Sequence, residues 1–166
     1  MKKVFGKRLV CVWSFLLTFL FVASAAFSAE YEAMKGVKSA DAVFDVRIGD
    51  PASAALHLKL IHQTLNDLKA EKKTAKFVLV FIGPSVKLIS KNREGFTPED
   101  VKHLDDIAAS VSGMSKDGIR LEICLIAAKV FNVDPATVLP EIKHVPNGWV
   151  SVIGFQAQGY SLVPVY

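Results

Sequence analysis

The chain has 166 residues, of which 51% are hydrophobic and 22% are charged. This composition predicts a folded domain and excludes an intrinsically disordered protein, because so many apolar residues can bury a core. The formal charge is +4, and Lys2, Lys3, Lys7 and Arg8 account for all of it. The remainder is balanced in charge and has no basic cluster, so nucleic acid is excluded as a partner.

The first 29 residues have the three parts of a secretory signal peptide: a basic start, an apolar stretch over 9–22, and small residues near Ala25. We expect cleavage between Ala25 and Ala29, which releases the protein into the periplasm, so that it meets the membrane only during export. The alternative is an uncleaved N-terminal anchor, because the apolar run with its flanks almost reaches the thickness of a bilayer. Cys11 leaves with the signal peptide, so the mature protein cannot form an internal disulfide.

Small and polar residues over 30–40 predict a flexible lead-in to the folded domain. The first strand is predicted over 41–48, where apolar and polar residues alternate. Asp50 and Pro51 are typical of a helix N-cap and a first helical residue. The spacing of the leucines that follow predicts an amphipathic helix to about Ala70.

The middle of the chain predicts a central strand and a second long helix. Residues 76–82 are almost continuously apolar, which is typical of a strand covered on both faces of a parallel sheet. Thr97 and Asp100 form the signature of a helix start with a capping box. That helix is expected to end before Gly118, and residues 119–123 predict the next strand.

The last third of the chain predicts two short helices and two more strands. A helix over 124–131 directly follows the third strand, and 141–145 form a short fourth strand. The last helix is expected to begin at 146–148. Its inward face is predicted to carry three apolar residues: Val150, Ile153 and Ala157. Residues 161–165 form the final strand, and Pro164 indicates an edge position because it lacks a backbone N–H.

Strands alternate with helices throughout residues 41–166, which therefore form one domain. This order predicts a three-layer α/β sandwich with a mostly parallel five-stranded sheet, in which right-handed crossovers place helices on both faces. In such sheets, ligands and reacting groups gather at the carboxyl ends of the strands. Besides Cys124, eight residues at these ends are candidates to line a cleft: Gly49, Asp50, Gly83, Pro84, Ser85, Pro146, Asn147 and Gly148.

Cys124 is the one nucleophile of note among these residues. It follows a predicted strand and opens a predicted helix, where free backbone N–H groups and the helix dipole favour a thiolate. The apolar neighbours Leu125 and Ile126 act in the opposite direction, because they desolvate a thiolate and restrict access to it. The residues alone leave open whether the thiol is reactive or is buried and inert.

No sequence pattern predicts a metal site or a cofactor. His57 and His62 lie about 140° apart around one predicted helix, so they do not form a two-histidine metal face. Residues 83–85 lack the repeated glycines and the lysine of a phosphate-binding loop. A cofactor-binding protein is therefore the function class with the least support.

Several short segments resemble the DsrE/DsrF-like family. They are GIRLEIC at 118–124, VLP at 138–140, VPNG at 145–148 and QGY at 158–160, with Gly83-Pro84 in the place of a family turn. The resemblance spans about residues 41–163 and implies a flavodoxin-like α/β sandwich that is usually oligomeric, so we expect a homo-oligomer. Some members relay sulfur between proteins. The resemblance therefore implies that Cys124 is the candidate persulfide carrier, with a sulfur-donor or sulfur-acceptor protein as its partner.

Two functions stay open from the sequence. The first is a periplasmic sulfur carrier, rather than a turnover enzyme, in which Cys124 accepts sulfane sulfur and passes it on. The alternative is a non-catalytic binding or assembly module of the same fold, in which Cys124 is buried and inert. The reactivity of Cys124 in the native protein separates the two.

Overall fold

The computed structural model describes residues 31–166, so the predicted signal peptide, its cleavage site and Cys11 lie outside the described residues. The strands are β1 (Ala42–Val46), β2 (Phe77–Phe81), β3 (Arg120–Cys124), β4 (Lys143–Val145) and β5 (Ser161–Val165). The helices are α1 (Pro51–Ala70), α2 (Pro98–Lys116), α3 (Leu125–Val130) and α4 (Gly148–Ala157). Short 3-10 turns lie at Glu32–Met34, Gly83–Lys87 and Pro135–Thr137.

The five strands form one parallel sheet in the order β4-β3-β2-β1-β5. The chain moves from β1 outward to β4 and then returns to place β5 on the other side of β1. Right-handed crossovers therefore put α1 and α2 together on one face, and α4 on the opposite face. The predicted α/β sandwich with a parallel sheet is confirmed. None of the helices within 31–166 is both long and apolar enough to span a bilayer.

The two long helices begin at the residues that the sequence indicates. The Asp50 carboxylate accepts a hydrogen bond from the backbone N–H of Ser53 at 2.7 Å, which lowers the pKa of Asp50. Thr97 and Asp100 bond reciprocally, with the Asp100 N–H donating to Thr97 Oγ1 at 3.2 Å and the Thr97 N–H donating to Asp100 Oδ2 at 3.0 Å. The backbone bond from Thr97 holds the pKa of Asp100 below its ordinary value. Both predicted N-caps are therefore confirmed.

β2 is the centre of the core, as its apolar sequence predicts. All five of its residues are buried, and Leu79 and Val80 have no exposed surface. The two long helices α1 and α2 cover one face of this strand with their apolar stripes. The opposite face is covered over a smaller area, because α4 has only ten residues.

Several predicted boundaries differ from the structure by one or two residues, and the first strand ends at Val46 instead of residue 48. The fourth strand begins at Lys143, because the Ile142 N–H bonds to the Leu139 carbonyl in a turn. The segment predicted as a flexible lead-in contains the turn Glu32–Met34, and Ser39 forms a parallel bridge with Thr74. The Ala40 N–H donates to the Thr74 carbonyl at 2.9 Å, so the last residues of that segment prolong the pairing of β1 with β2.

The prediction for the inward face of α4 is wrong. Val150 and Ile153 are each 65% exposed and Ala157 is exposed, whereas Val152 is buried. The sequence GWVSVIGFQA carries apolar residues around the whole helix, so its periodicity does not single out one face. The helix ends at a glycine stop, because Gly159 adopts φ +92° directly after the C-cap Gln158.

Candidate functional site

Cys124 lies at the junction of β3 and α3. It is the last residue of the strand and the N-cap of the helix, which is the placement that the sequence predicts. Its Sγ accepts a hydrogen bond from the backbone N–H of Ala127 at 3.5 Å. The residue is 4% exposed, and its thiol is not in a disulfide. One backbone donor therefore stabilises negative charge on a sulfur that is almost removed from bulk water.

Cys124 lines a pocket of about 230 Å³ at the carboxyl end of the sheet. Most of the wall is apolar and comes from six residues: Ile82, Ile126, Ala127, Val130, Phe131 and Trp149. Gly83 and Asn147 complete the wall, and Arg47 is the charged residue in it. A water molecule takes about 30 Å³ of liquid volume, so the pocket accepts a small molecule of about eight heavy atoms.

The register of the sheet brings three of these residues into one row. Val46 pairs with Phe81, and Phe81 pairs with Ile123, so the next residue along each strand is Arg47, Ile82 or Cys124. The Ile82 N–H donates to the Val46 carbonyl at 2.9 Å, which continues the pairing to this row. Alternate residues of a strand face opposite sides, so all three side chains lie on the face that α4 covers.

Gly148 allows the start of α4 to approach Cys124. A Cβ atom at this position would lie 2.9 Å from the Cys124 Cβ and 2.9 Å from the Ile82 Cγ1, closer than any side chain tolerates. The preceding residue, Asn147, caps the helix by accepting the Trp149 N–H at 3.0 Å. The first turn of α4 therefore forms one side of the pocket, and only glycine fits at the contact.

The structure brings some of the predicted cleft residues to Cys124 and leaves others apart. Gly83 and Asn147 line the pocket, and Gly148 contacts Cys124. Ser85 is buried in a structural role, because its hydroxyl donates to the Val46 and Ile82 carbonyls. Four residues lie at the same end of the sheet but do not line the pocket: Gly49, Asp50, Pro84 and Pro146. Asp50 is occupied as the cap of α1, and a Cβ on Gly49 would press on the Pro84 ring at 3.0 Å.

Sequence reasoning missed Arg47 and Trp149 as site residues. The Arg47 Nε donates to both Asp45 carboxylate oxygens, at 3.0 Å and 2.9 Å, and its guanidinium carbon lies 5.7 Å from the Trp149 ring centre. The sequence placed Arg47 on the polar face of β1, which is a typical position for a solvated charge. The signal that could have found it is the parallel register, since that aligns the residue after β1 with Cys124.

Two buried carboxylates lie beneath α4, on the same face as Cys124 and two residues earlier along their strands. Asp45 pairs with Val80 in β2, and Val80 pairs with Glu122 in β3, so both carboxylates share a face on either side of Val80. Glu122 has no exposed surface and is bonded by the Arg120 guanidinium and the Ser151 hydroxyl. Each buried charge is therefore paired and hydrogen-bonded, as a buried carboxylate requires.

Within residues 31–166, no three His, Cys, Asp or Glu side chains are grouped so that they could hold a metal ion. The pocket around the thiol has a mostly apolar wall and one guanidinium, that of Arg47. This arrangement suits chemistry at sulfur itself, with a small partner molecule inside the pocket.

Comparison with known proteins gives a similar sequence and similar structures. An uncharacterized protein of Aquifex aeolicus (strain VF5) is 27% identical over 124 residues, which are 74% of this chain and 55% of that protein. This chain therefore spans about half the length of that relative. The protein of unknown function MTH1491 from Methanobacterium thermoautotrophicum has a similar structure, with a TM-score of 0.60 and 16% identity over 75% of this chain and 98% of the other.

A weaker structural likeness, with a TM-score of 0.45 and 9% identity, extends to the ychN protein of E. coli, over 76% of this chain and 99% of the other. At 16% identity the MTH1491 structure supports the fold alone. The model of the DsrE/DsrF-like family matches residues 41–165, which include every strand, the four helices and Cys124. This match confirms the resemblance predicted from the short segments. The chain belongs to the DsrE/DsrF-like family.

Proposed function

We propose that this protein carries sulfane sulfur as a persulfide on Cys124 and passes it to an acceptor thiol. The observation that carries the proposal is the position of the thiol: Cys124 lines a pocket of about 230 Å³ and accepts a backbone hydrogen bond from Ala127. A family in which some members relay sulfur provides the second support. The activity of the whole protein and its partners are part of the proposal.

The loading step is an exchange at sulfur. The Cys124 thiolate attacks the terminal sulfur of an inorganic polysulfide, a new S–S bond forms, and the old S–S bond breaks. The electron pair leaves with a polysulfide that is one sulfur shorter, so Cys124 becomes a persulfide anion. In the transfer step an acceptor thiolate attacks the outer sulfur, and the Cys124 thiolate leaves. Neither step needs a metal or an outside oxidant.

The pocket favours a carried sulfur in two ways. Sulfane sulfur is polarizable and weakly hydrated, so an apolar wall of Ile, Val, Phe and Trp side chains suits it better than a polar wall. A wall that limits water also protects a persulfide from small oxidants and reductants. The hydrogen bond from Ala127 to Sγ stabilises the Cys124 thiolate, which attacks the donor in the loading step and leaves in the transfer step.

Intact-mass analysis after exposure to polysulfide tests the proposal. We expect the native protein to gain 32 Da per added sulfur, in about one equivalent, on the peptide that contains Cys124. Peptide mapping shows which cysteine carries the added sulfur, because a protein that keeps its leader also contains Cys11. Cys124→Ser removes the gain and serves as the matched control, because a hydroxyl of similar size cannot form a persulfide. A native protein that gains no sulfur on the Cys124 peptide would contradict the proposal.

A binding module is the second candidate, and the low exposure of Cys124 favours it. A thiol that is 4% exposed is accessible only through the pocket, and an apolar pocket can hold a small ligand without any chemistry at sulfur. In that case Cys124→Ser leaves ligand affinity nearly unchanged and polysulfide adds no sulfur. The mass experiment therefore decides between the two functions.

The proposal includes a periplasmic location, which the three-part leader sequence supports. N-terminal sequencing of the exported protein is expected to give a start between residues 26 and 30. A product that still begins at Met1 in the membrane fraction would support the anchored alternative.

A further inference from the structure

We infer that Arg47 is the anion-recognition residue of the Cys124 pocket, so the small sulfur donors that the pocket accepts are anions. The inference rests on the proposed function, because it names the class of donor. It is carried by the geometry of Arg47, the charged residue in a wall that is otherwise apolar apart from Gly83 and Asn147.

Two neighbours hold the guanidinium of Arg47 in one orientation. The Nε donates to both oxygens of Asp45, and the side chain of Asp45 is only 11% exposed. The indole ring of Trp149 lies 5.7 Å from the guanidinium carbon, within the range of a cation–π contact. A side chain fixed on two sides loses little conformational entropy when it binds a ligand.

The two terminal amino groups of Arg47 remain available. Among residues 31–166, Asp45 alone accepts a side-chain hydrogen bond from Arg47, and both bonds come from the Nε atom. The four N–H donors of these two groups therefore make no side-chain hydrogen bond within residues 31–166, and the pair at the end of the planar fork suits sulfonate, thiosulfate or carboxylate oxygens. Because Arg47 also lines the pocket, an anion that enters the pocket can reach these donors.

The distance between Arg47 and Cys124 across the sheet suits a short sulfur donor. Arg47 and Cys124 lie in one row with Ile82 between them, which is two strand spacings or about 10 Å between their Cα atoms. Both side chains line the same pocket. A donor that places its anionic group on Arg47 and its sulfane sulfur at the Cys124 Sγ is therefore a short molecule, such as thiosulfate or a short polysulfide.

Asp45 also determines how the anion is recognised. Its carboxylate balances the charge of Arg47, so the pair attracts anions through oriented hydrogen bonds more than through net charge. A lysine at position 47 can keep an ion pair with Asp45 but has no second set of donors in a plane. We therefore expect Arg47→Lys to lose the preference for anions almost as fully as Arg47→Gln.

Two alkylating reagents of nearly equal size test the inference in the full-length protein. Iodoacetate carries a carboxylate and iodoacetamide carries a neutral amide, and mass spectrometry follows each on the Cys124 peptide. The measured quantity is the rate ratio of iodoacetate to iodoacetamide. We expect this ratio to fall about tenfold in both Arg47→Gln and Arg47→Lys, the size of one lost charged hydrogen bond. A ratio unchanged within twofold in both variants would overturn the inference.

A binding measurement covers the case in which neither reagent reaches the thiol. Trp149 lies on Arg47, so thiosulfate bound there should change its fluorescence in a saturable way. The fluorescence of Trp149→Phe gives the contribution of Trp13, the other tryptophan, to the signal. The change is expected in the wild type and lost in Arg47→Lys, which keeps a cation beside Asp45 and so remains foldable. No saturable change in the wild type would then overturn the inference.

The two proposals fail in different ways. Polysulfide that loads Cys124 equally well in the wild type and in Arg47→Lys overturns the role of Arg47 and leaves the sulfur carrier intact. Anion binding that depends on Arg47, with no sulfur added to Cys124, supports the role of Arg47 and contradicts the sulfur carrier.

Discussion

Gly148 is the residue that fixes the distance between α4 and the thiol. A methyl group there would meet the Cβ of Cys124 and the side chain of Ile82 at 2.9 Å, so Gly148→Ala must move the helix or distort the pocket. We expect it to destabilise the protein by about 1–3 kcal/mol. Gly154→Ala is the matched control in the same helix, because no atom lies within 4 Å of its added Cβ.

Denaturant unfolding of the two alanine variants gives the comparison. Gly154→Ala is expected to stabilise the protein by about 0.5–1 kcal/mol through helix propensity alone. If Gly148→Ala also stabilises the protein, then α4 does not press against Cys124 and the pocket has a different shape.

Residue-level reasoning located the thiol but not its surroundings. Cys124 could be predicted as a helix cap at a strand end, because strand and helix signals are local in sequence. Arg47 lies 77 residues before Cys124, and Trp149 lies 25 residues after it. Only the strand register and the path of α4 bring them to Cys124. No local pattern contains that information, since a charged residue after a strand is most often solvated.

At the scale of the elements, β2 is the strand on which the sheet depends. Val80 has no exposed surface and lies between Asp45 and Glu122, so Val80→Asp would bury a third carboxylate beside two existing ones. We expect a loss of more than about 3 kcal/mol, or failure to fold. Leu60→Asp is the control, because Leu60 is 52% exposed on α1, and its cost should be about 1 kcal/mol or less. Similar melting temperatures for the two variants would contradict a central β2.

The contact between α1 and the end of α2 makes stability depend on pH. His62 Nε2 donates to Asp117 Oδ2 at 2.5 Å, and this hydrogen bond holds the pKa of Asp117 below its ordinary value. A lowered folded-state pKa adds stability above the unfolded-state pKa of about 3.9, and that stability is lost as the pH falls through the folded-state value. Asp117→Asn should therefore destabilise the protein at neutral pH, and the difference from the wild type should shrink as the pH falls below the unfolded-state pKa.

Unfolding curves of the wild type and Asp117→Asn across that pH range check the prediction. His62→Gln should reproduce the neutral-pH loss, because it removes the donor from the same bond. A difference between the wild type and Asp117→Asn that stays constant down to pH 2 would show that the carboxylate charge has no part in the contact.

The elements that could be predicted are those with local start and stop signals. Asp50 and the Thr97–Asp100 box begin α1 and α2 where expected, and Gly159 follows α4 in a left-handed conformation. The orientation of α4 could not be predicted, because its apolar residues surround the helix. Its buried side is selected by the sheet, where Ser151 bonds to the buried Glu122 and Val152 fills the core.

At the scale of the whole molecule, the homo-oligomer stays a prediction from the family. The outer surface of α4 and β5 supports it, because Val150, Ile153 and Leu162 are large apolar residues that are 43–65% exposed. A second copy of the chain is the partner that we expect to cover them. Ile153→Glu should lower the mass measured by light scattering to that of a smaller species, without loss of thermal stability in the monomer. Wild-type protein that is monomeric at high concentration would contradict the prediction.

Alkylation of native Cys124 tests the central claim most directly, because a sulfur carrier needs a thiol that reacts through the pocket. The rate with iodoacetamide is measured on the Cys124 peptide in native and in unfolded protein between about pH 6 and 9. The account predicts that the native thiol reacts at a rate comparable to that of the unfolded one near neutral pH. A native thiol that resists alkylation over the whole range, while the unfolded thiol reacts at once, would contradict it.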